Sequence, residues 1–290
     1  MADDAPAPPV PTAVAREHIV DVLIAERAPK LSRSAAWPVV RPLLYQLLGY
    51  GRARAMADAI APMGGKAALD FVSNLLSIDV RVSGLEHVPR RGRLVIVGNH
   101  PTGIADGVAV YDALKAVRPD IIFYANSDAH RVCARFDETL IPVEWVPAKR
   151  TRERTRLTLA MTKDVLEDER PLMVFPAGKL ARRDANGVLT DPVWMPTAIS
   201  VAVKYAAPIV PVHVEGPWAT LFHFFDRFSP ELRDITLFHE LLNKKGRRFR
   251  ITIGKPIPTD RIDPDAAVAS AAIKTYVERN LPFEPDRPFA

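Results

Sequence analysis

The sequence predicts an α/β fold in which a mostly parallel sheet is flanked by helices and preceded by an N-terminal helical segment. Three observations carry this. From residue 78 onward, short β-branched runs alternate with longer helical stretches, the grammar of strand–helix–strand units. Before that point no strand-like alternation occurs. A chain of 290 residues that is 48% hydrophobic can also bury a full core.

Taken in order, the proline-rich stretch Ala5 to Pro11 reads as part of a disordered tail over 1–13 that carries no chemistry. Residues 14–77 form the helical segment. Its apolar stretches are Ile19 to Ile24 and Trp37 to Leu48, broken by prolines, and the amphipathic Lys66 to Leu76. An α/β domain then spans 78–290, with the boundary near 77–83. Its expected strands are Ile78–Val82, Leu94–Val97, Asp120–Tyr124, Leu172–Phe175, Ile209–Val212 and Arg250–Ile253. Helices are expected at 104–117, 153–168, 195–206 and 265–280. In such sheets chemistry gathers at the carboxyl ends of strands.

Composition narrows the function. The single cysteine, Cys133, excludes an intrachain disulfide, and the N-terminus has no signal-like pattern, so a reducing cytoplasmic location is the expectation. No run approaches the ~18 apolar residues that a membrane span requires. The net charge is only +5, but basic residues cluster in three blocks. These are Lys149 to Arg156, Lys179 with Arg182 and Arg183, and Lys244 to Arg250. Such blocks attract phosphates or lipid headgroups, although the first and third read rather as solvated faces. Without interleaved aromatics or a known module, they do not predict nucleic-acid binding.

Three segments carry chemistry. The first is Asn99-His100-Pro101-Thr102-Gly103-Ile104-Ala105-Asp106-Gly107, which places a histidine at a strand end and a carboxylate six residues on. A carboxylate that holds an imidazole makes a general base, and with no serine nucleophile nearby the proton must come from a substrate. Spacing alone leaves two roles open for Asp106, capping the following helix or turning back to the ring. The second is Phe175-Pro176-Ala177-Gly178-Lys179, followed by Arg182 and Arg183. This strand end can cradle an anion, but it lacks the spacing of a nucleotide P-loop. The third is the strand end His213, Glu215 and Gly216. His213 with His100 and Asp106 is a weak metal signature, so structural roles are expected and no metal is assigned.

The order of these three motifs resembles that of the glycerolipid acyltransferase superfamily, over roughly residues 75–260. The helical segment resembles the N-terminal part of one branch. Two departures stand out. Five residues separate His100 from Asp106 where the common motif has four, and Ala177 and Lys179 stand where the common phosphate motif has Glu and Thr. Both resemble the hemolysin-type branch, which includes acyltransferases of ornithine-lipid synthesis.

The resemblance implies transfer of a fatty acyl chain from acyl-CoA or acyl carrier protein, as co-substrate, to a hydroxyl or amine. The acceptor is a glycerophosphate, lysophospholipid or lyso-aminolipid, and no cofactor is implied. His100 is the implied base and Asp106 its support. Asn99, Gly103, Gly107, Phe175, Pro176, Gly178, Lys179, Arg182 and Arg183 are the implied substrate-binding residues, with N–H groups near Gly103 or Gly178 receiving the oxyanion. Attachment to an anionic membrane, at its inner face, is expected through the stretch from Trp37 to Leu48 with Arg41, Tyr45, Tyr50, Arg52 and Arg54. The rival is a non-catalytic lipid- or phosphate-binding protein on the same scaffold. A hydrolase is disfavoured by the absence of a Gly-x-Ser-x-Gly elbow.

Overall fold

The structure, a computed structural model, describes residues 17–144, 150–184 and 187–290. The tail over 1–13 and Lys149 of the first basic block lie outside the described residues.

The helical segment contains α1 (Ile19–Arg27), α2 (Pro29–Ser32), α3 (Trp37–Leu47), α4 (Tyr50–Ile60) and α5 (Gly65–Leu76). The side chain of His18 caps α1 by accepting the N–H of Val20. Prolines do not break α3. Pro38 lies in the first turn, and Pro42 costs only its bond to the carbonyl of Pro38, so the helix runs through. Along its outer face Val39, Leu43 and Leu47 are 80%, 69% and 50% exposed, an unpartnered apolar stripe at helical spacing.

The domain that follows contains β1 (Asp79–Ser83), β2 (Leu94–Gly98), α6 (Ile104–Leu114), β3 (Ile122–Asn126), α7 (Asp128–Val132), β4 (Leu140–Val143), α8 (Arg152–Glu167) and β5 (Pro171–Val174). A small antiparallel pair comes next, β6 (Arg182–Arg183) and β7 (Leu189–Thr190). The remaining elements are α9 (Thr197–Lys204), β8 (Ile209–Glu215), α10 (Thr220–Asp226), α11 (Pro230–Asp234), α12 (Leu237–Leu242), β9 (Arg248–Ile253) and α13 (Ala266–Thr275).

Among the described residues the main sheet has seven strands in the order β1-β9-β8-β2-β5-β3-β4. From β8 to β4 every pairing is parallel, so these carboxyl ends share one edge of the sheet. β9 pairs antiparallel with β8, and β1 runs with β9. The chain therefore leaves β8, passes through α10 to α12 and re-enters the sheet reversed.

β2 is buried on both faces, which explains its unbroken apolar run. Leu94 and Ile96 face one core, shared with α6 and with Leu23, Met56, Ile60, Val72 and Leu76 of the helical segment. Val95 and Val97 face the other, with Leu166 of α8, Ile199 of α9 and Ile273 of α13. Two features were not legible in the sequence. β4 hides behind Pro142, which an edge strand tolerates, and α10 to α12 are short, with a side-chain N-cap only on α11, from Ser229.

Candidate active site

β2 delivers His100 to the carboxyl edge of the sheet. As the strand ends, the side chain of Asn99 takes over the ladder. It donates to the carbonyl of Val214 at 2.9 Å and accepts that residue's N–H at 2.7 Å. The backbone of His100 is then held at both its polar groups. Its carbonyl accepts the N–H of Ala181 at 2.9 Å, and its N–H reaches both carboxylate oxygens of Asp191, at 3.0 and 3.2 Å.

The imidazole is placed as tightly. Its ring stacks on Phe175, with centroids 4.4 Å apart. Nδ1 stands 2.9 Å from Oδ2 of Asp106 but obliquely to the ring, so the pair is a charge contact and Nδ1 makes no hydrogen bond among the described residues. Asp106 is fully buried in the first turn of α6. Oδ2 accepts the N–H groups of Thr102 and Gly103 at 2.9 and 3.0 Å, and Oδ1 accepts the Thr102 hydroxyl at 2.5 Å. The two roles left open by spacing therefore coincide. The helix N-terminus and three donors stabilise the buried charge, and the charge faces the histidine.

The five-residue spacer closes through Gly103, whose φ of 97° is closed to residues with a side chain. A Cβ there would also come within 3.3 Å of Leu180. Close approach explains Gly216 as well: a Cβ would lie 2.6 Å from both Thr102 and Phe249, so the end of β8 can pack on the loop only as glycine. Gly107 differs, since a Cβ would meet nothing within 4 Å, and open space adjoins the helix there.

An oxyanion was expected to meet N–H groups near Gly103 or Gly178, and the N–H groups of these two glycines are themselves engaged. That of Gly103 is taken by Asp106, and that of Gly178 closes a turn onto the carbonyl of Phe175 at 3.0 Å. Pro176 is also enlisted in that turn, its carbonyl accepting the N–H of Met195.

The three cations of the second basic block part company. Arg182 is paired with Asp226 of α10, which also binds Arg233, and its guanidinium lies over the ring of Phe222. Arg183 lies 4.6 Å from the centroid of Trp218 and donates to the carbonyl of Gly187. His223 stacks on the same indole, and its pKa is pushed down to about 4 by burial first and then by Arg182 and Arg183. Lys179 is exposed and has no ion-pair partner among the described residues. A single cation at the turn is thus free for an anionic ligand, while the two arginines fasten the turn to α10.

Three cations of the third basic block are paired in the same way, while Lys245 and Arg247 are exposed. Lys244 is buried against Glu240, Arg248 pairs with Asp79, and Arg250 pairs with Glu215. His213 contacts the carbonyl of Val277 through Nδ1 at 3.0 Å, and burial pushes its pKa down.

Sequence reading missed Asp191 and Trp194. Asp191 is 4% exposed and accepts the indole N–H of Trp194 at 2.8 Å as well as the His100 N–H. The usable signal was a tryptophan three residues beyond an aspartate, since a buried indole N–H needs an acceptor.

Comparison with known proteins finds acyltransferases. A family model described as Acyltransferase matches residues 79–215. A lyso-glycine lipid O-acyltransferase of Phocaeicola vulgatus is 27% identical over 208 residues, covering 68% of this chain and 72% of the relative. A lyso-glycine lipid O-acyltransferase of Bacteroides thetaiotaomicron is 28% identical over 216 residues, covering 71% and 77%. In fold, the chain is similar to the crystal structure of the 1-acyl-sn-glycerophosphate (LPA) acyltransferase PlsC from Thermotoga maritima. The TM-score is 0.50 at 14% identity, over 91% of this chain and 98% of that one. The family model and both relatives support an acyltransferase. The chain is thus similar to acyltransferases over residues 79–215 and to PlsC in its fold.

Proposed function

We propose that this acyltransferase moves a fatty acyl chain from a thioester, acyl-CoA or acyl carrier protein, to the hydroxyl of a lyso-aminolipid. The observation that carries the reading is the 2.9 Å approach of the buried Asp106 to Nδ1 of His100, and in this reading the other ring nitrogen, Nε2, is the base. Nε2 removes the acceptor's O–H proton as the oxygen attacks the thioester carbonyl, and the nearby carboxylate stabilises the imidazolium that forms. The tetrahedral intermediate collapses, the C–S bond breaks, and the thiolate leaves with the proton from Nε2. No acyl-enzyme forms, since no serine or cysteine takes part.

The acceptor class is supported by the names of both relatives, which specify O-acyl transfer to a lyso-glycine lipid. The replacement of the usual phosphate motif by Ala177 and Lys179, which resembles the ornithine-lipid branch, supports it too. Lys179 meets the acceptor's anionic group in this reading. Pro176 and Phe175 shape the turn and the ring stack beside it.

Among the described residues no helix is long and apolar enough to cross a membrane. A peripheral site on an anionic membrane surface suits a lysolipid acceptor. The exposed stripe of Val39, Leu43 and Leu47, with Arg41 on the same helix, supports docking through α3.

The test is thiol release from acyl-CoA and from acyl carrier protein, with lyso-glycine lipid, lyso-ornithine lipid, lysophosphatidate and glycerol-3-phosphate as acceptors. Preference for a lyso-aminolipid supports the reading. Turnover confined to glycerol-3-phosphate would refute it.

A further inference from the structure

Asp191 joins three separate parts of the chain at the back of the site. In front, its carboxylate holds the His100 N–H and the Trp194 indole. Behind, its own N–H donates to Oε1 of Glu278 at 2.6 Å. Glu278 lies in a π-helical turn, Tyr276–Asn280, that continues α13. Its other oxygen accepts from Thr190 and from Lys274, each at 2.7 Å, and Lys274 also reaches the Thr190 hydroxyl at 2.9 Å.

Burying a carboxylate is costly, and this one has only two side-facing donors to offset the loss of water. Burial pushes the pKa of Asp191 up to about 6, with Glu278 adding to the rise, while the His100 N–H, the Trp194 indole and attraction to His100 pull the other way. The charged groups around it are His100, Glu278 and, beyond Glu278, Lys274. A neutral side chain would pack there at less cost, so the position of this carboxylate calls for a role at His100.

We propose that Asp191 is a positioning residue for acyl transfer: it pins the main chain of His100 so that Nε2 keeps its aim, and Glu278 with Lys274 pins Asp191 from the C-terminal helix. This rests on His100 being the base. Neither Glu278 nor Lys274 falls within the stretch matched by the family model.

The experiment uses the full chain with Asp191→Ala, Asp191→Asn, Glu278→Gln and His100→Ala. Asp191→Ala is expected to lower kcat ~10²-fold with KM little changed, the size of effect that misplacing a reacting group produces. Asp191→Asn should restore most of the loss, because its amide oxygen still accepts the His100 N–H. The His100 amide should exchange with solvent at least ~10-fold faster in Asp191→Ala while core strand amides keep their protection. A merely structural role would raise exchange throughout the sheet and lower activity only by the fraction unfolded, and that result overturns the proposal. If Asp191→Ala does not fold, Glu278→Gln decides: a kcat loss of about 10-fold at unchanged KM supports the proposal, and wild-type kcat overturns it. His100→Ala separates the two assignments. An active His100→Ala refutes the base, whereas an inactive one beside a fully active Asp191→Ala refutes only the positioning role.

Discussion

His100 and Asp106 meet at 2.9 Å although five residues separate them, because the spacer doubles back through Gly103 and places Asp106 in the first turn of α6. Removing the proposed base with His100→Ala should lower kcat by about 10²–10⁴-fold with the fold intact. Asp106→Asn should be nearly as severe, since the amide can favour the wrong tautomer and leaves the imidazolium without its counter-charge. Steady-state kinetics and circular dichroism on the two variants check this. Turnover near wild type in either would show that the pair is not the catalytic one.

Gly103→Ala tests the loop that makes this meeting possible. With φ at 97°, a side chain is strained by about 1–3 kcal/mol, and Leu180 must also give way. A fall in denaturation midpoint of that size, accompanied by a fall in kcat, is expected. Gly107→Ala is the contrast. It should stabilise α6 by up to about 1 kcal/mol, and any loss of kcat/KM would mean that substrate fills the open space beside it.

Lys179 and Arg182 should separate in their effects. Lys179→Ala is expected to raise KM for the anionic acceptor several-fold at unchanged melting temperature. Arg182→Ala leaves Asp226 with Arg233 alone and uncovers Phe222, so it should lower stability by about 1–2 kcal/mol. Equal KM effects from both residues would show that the arginine leaves its partner to bind substrate.

Asp191 makes stability depend on pH. Its pKa is raised to about 6 from an ordinary 3.8, so between these values the folded chain holds a proton that the unfolded chain has released. Its contribution to stability is therefore greatest below pH 4 and is lost as pH rises through 6, by up to about 3 kcal/mol. His223, pushed down to about 4, acts in the opposite direction over much of the same range. The informative quantity is thus the difference between wild type and Asp191→Asn. Relative to wild type, the variant should gain stability as pH rises from 4 to 6, measured by urea denaturation. A flat difference would show that Asp191 titrates normally.

Membrane docking by α3 predicts that replacing Val39, Leu43 and Leu47 together with serine weakens binding to anionic vesicles at least ~10-fold, with no loss of fold because all three are exposed. Flotation assays at low salt measure this, and unchanged binding would remove α3 from the docking surface.

The alternation of apolar strands and helices, and the sequence separation of His100 from Phe175, were legible in one dimension because β2 and β5 are short, apolar and buried on both sides. Residues that follow such strands must emerge at one edge of the sheet. The sequence alone thus determined the fold class, the proximity of His100 to Asp106 as one of two open roles, and the strand ends that carry them. Only the tertiary structure decided what the arginines of the second basic block do: Arg182 and Arg183 look alike as letters, yet one pairs with Asp226 of α10 and the other lies over Trp218, partners that no local pattern announces. It also decided that Asp106 both caps and faces the ring, and that Asp191 lies behind it. The reason is physical. Hydrophobic periodicity is local and repeats along the chain, whereas an ion pair or a hydrogen bond joins residues whose separation is set by how the finished layers stack.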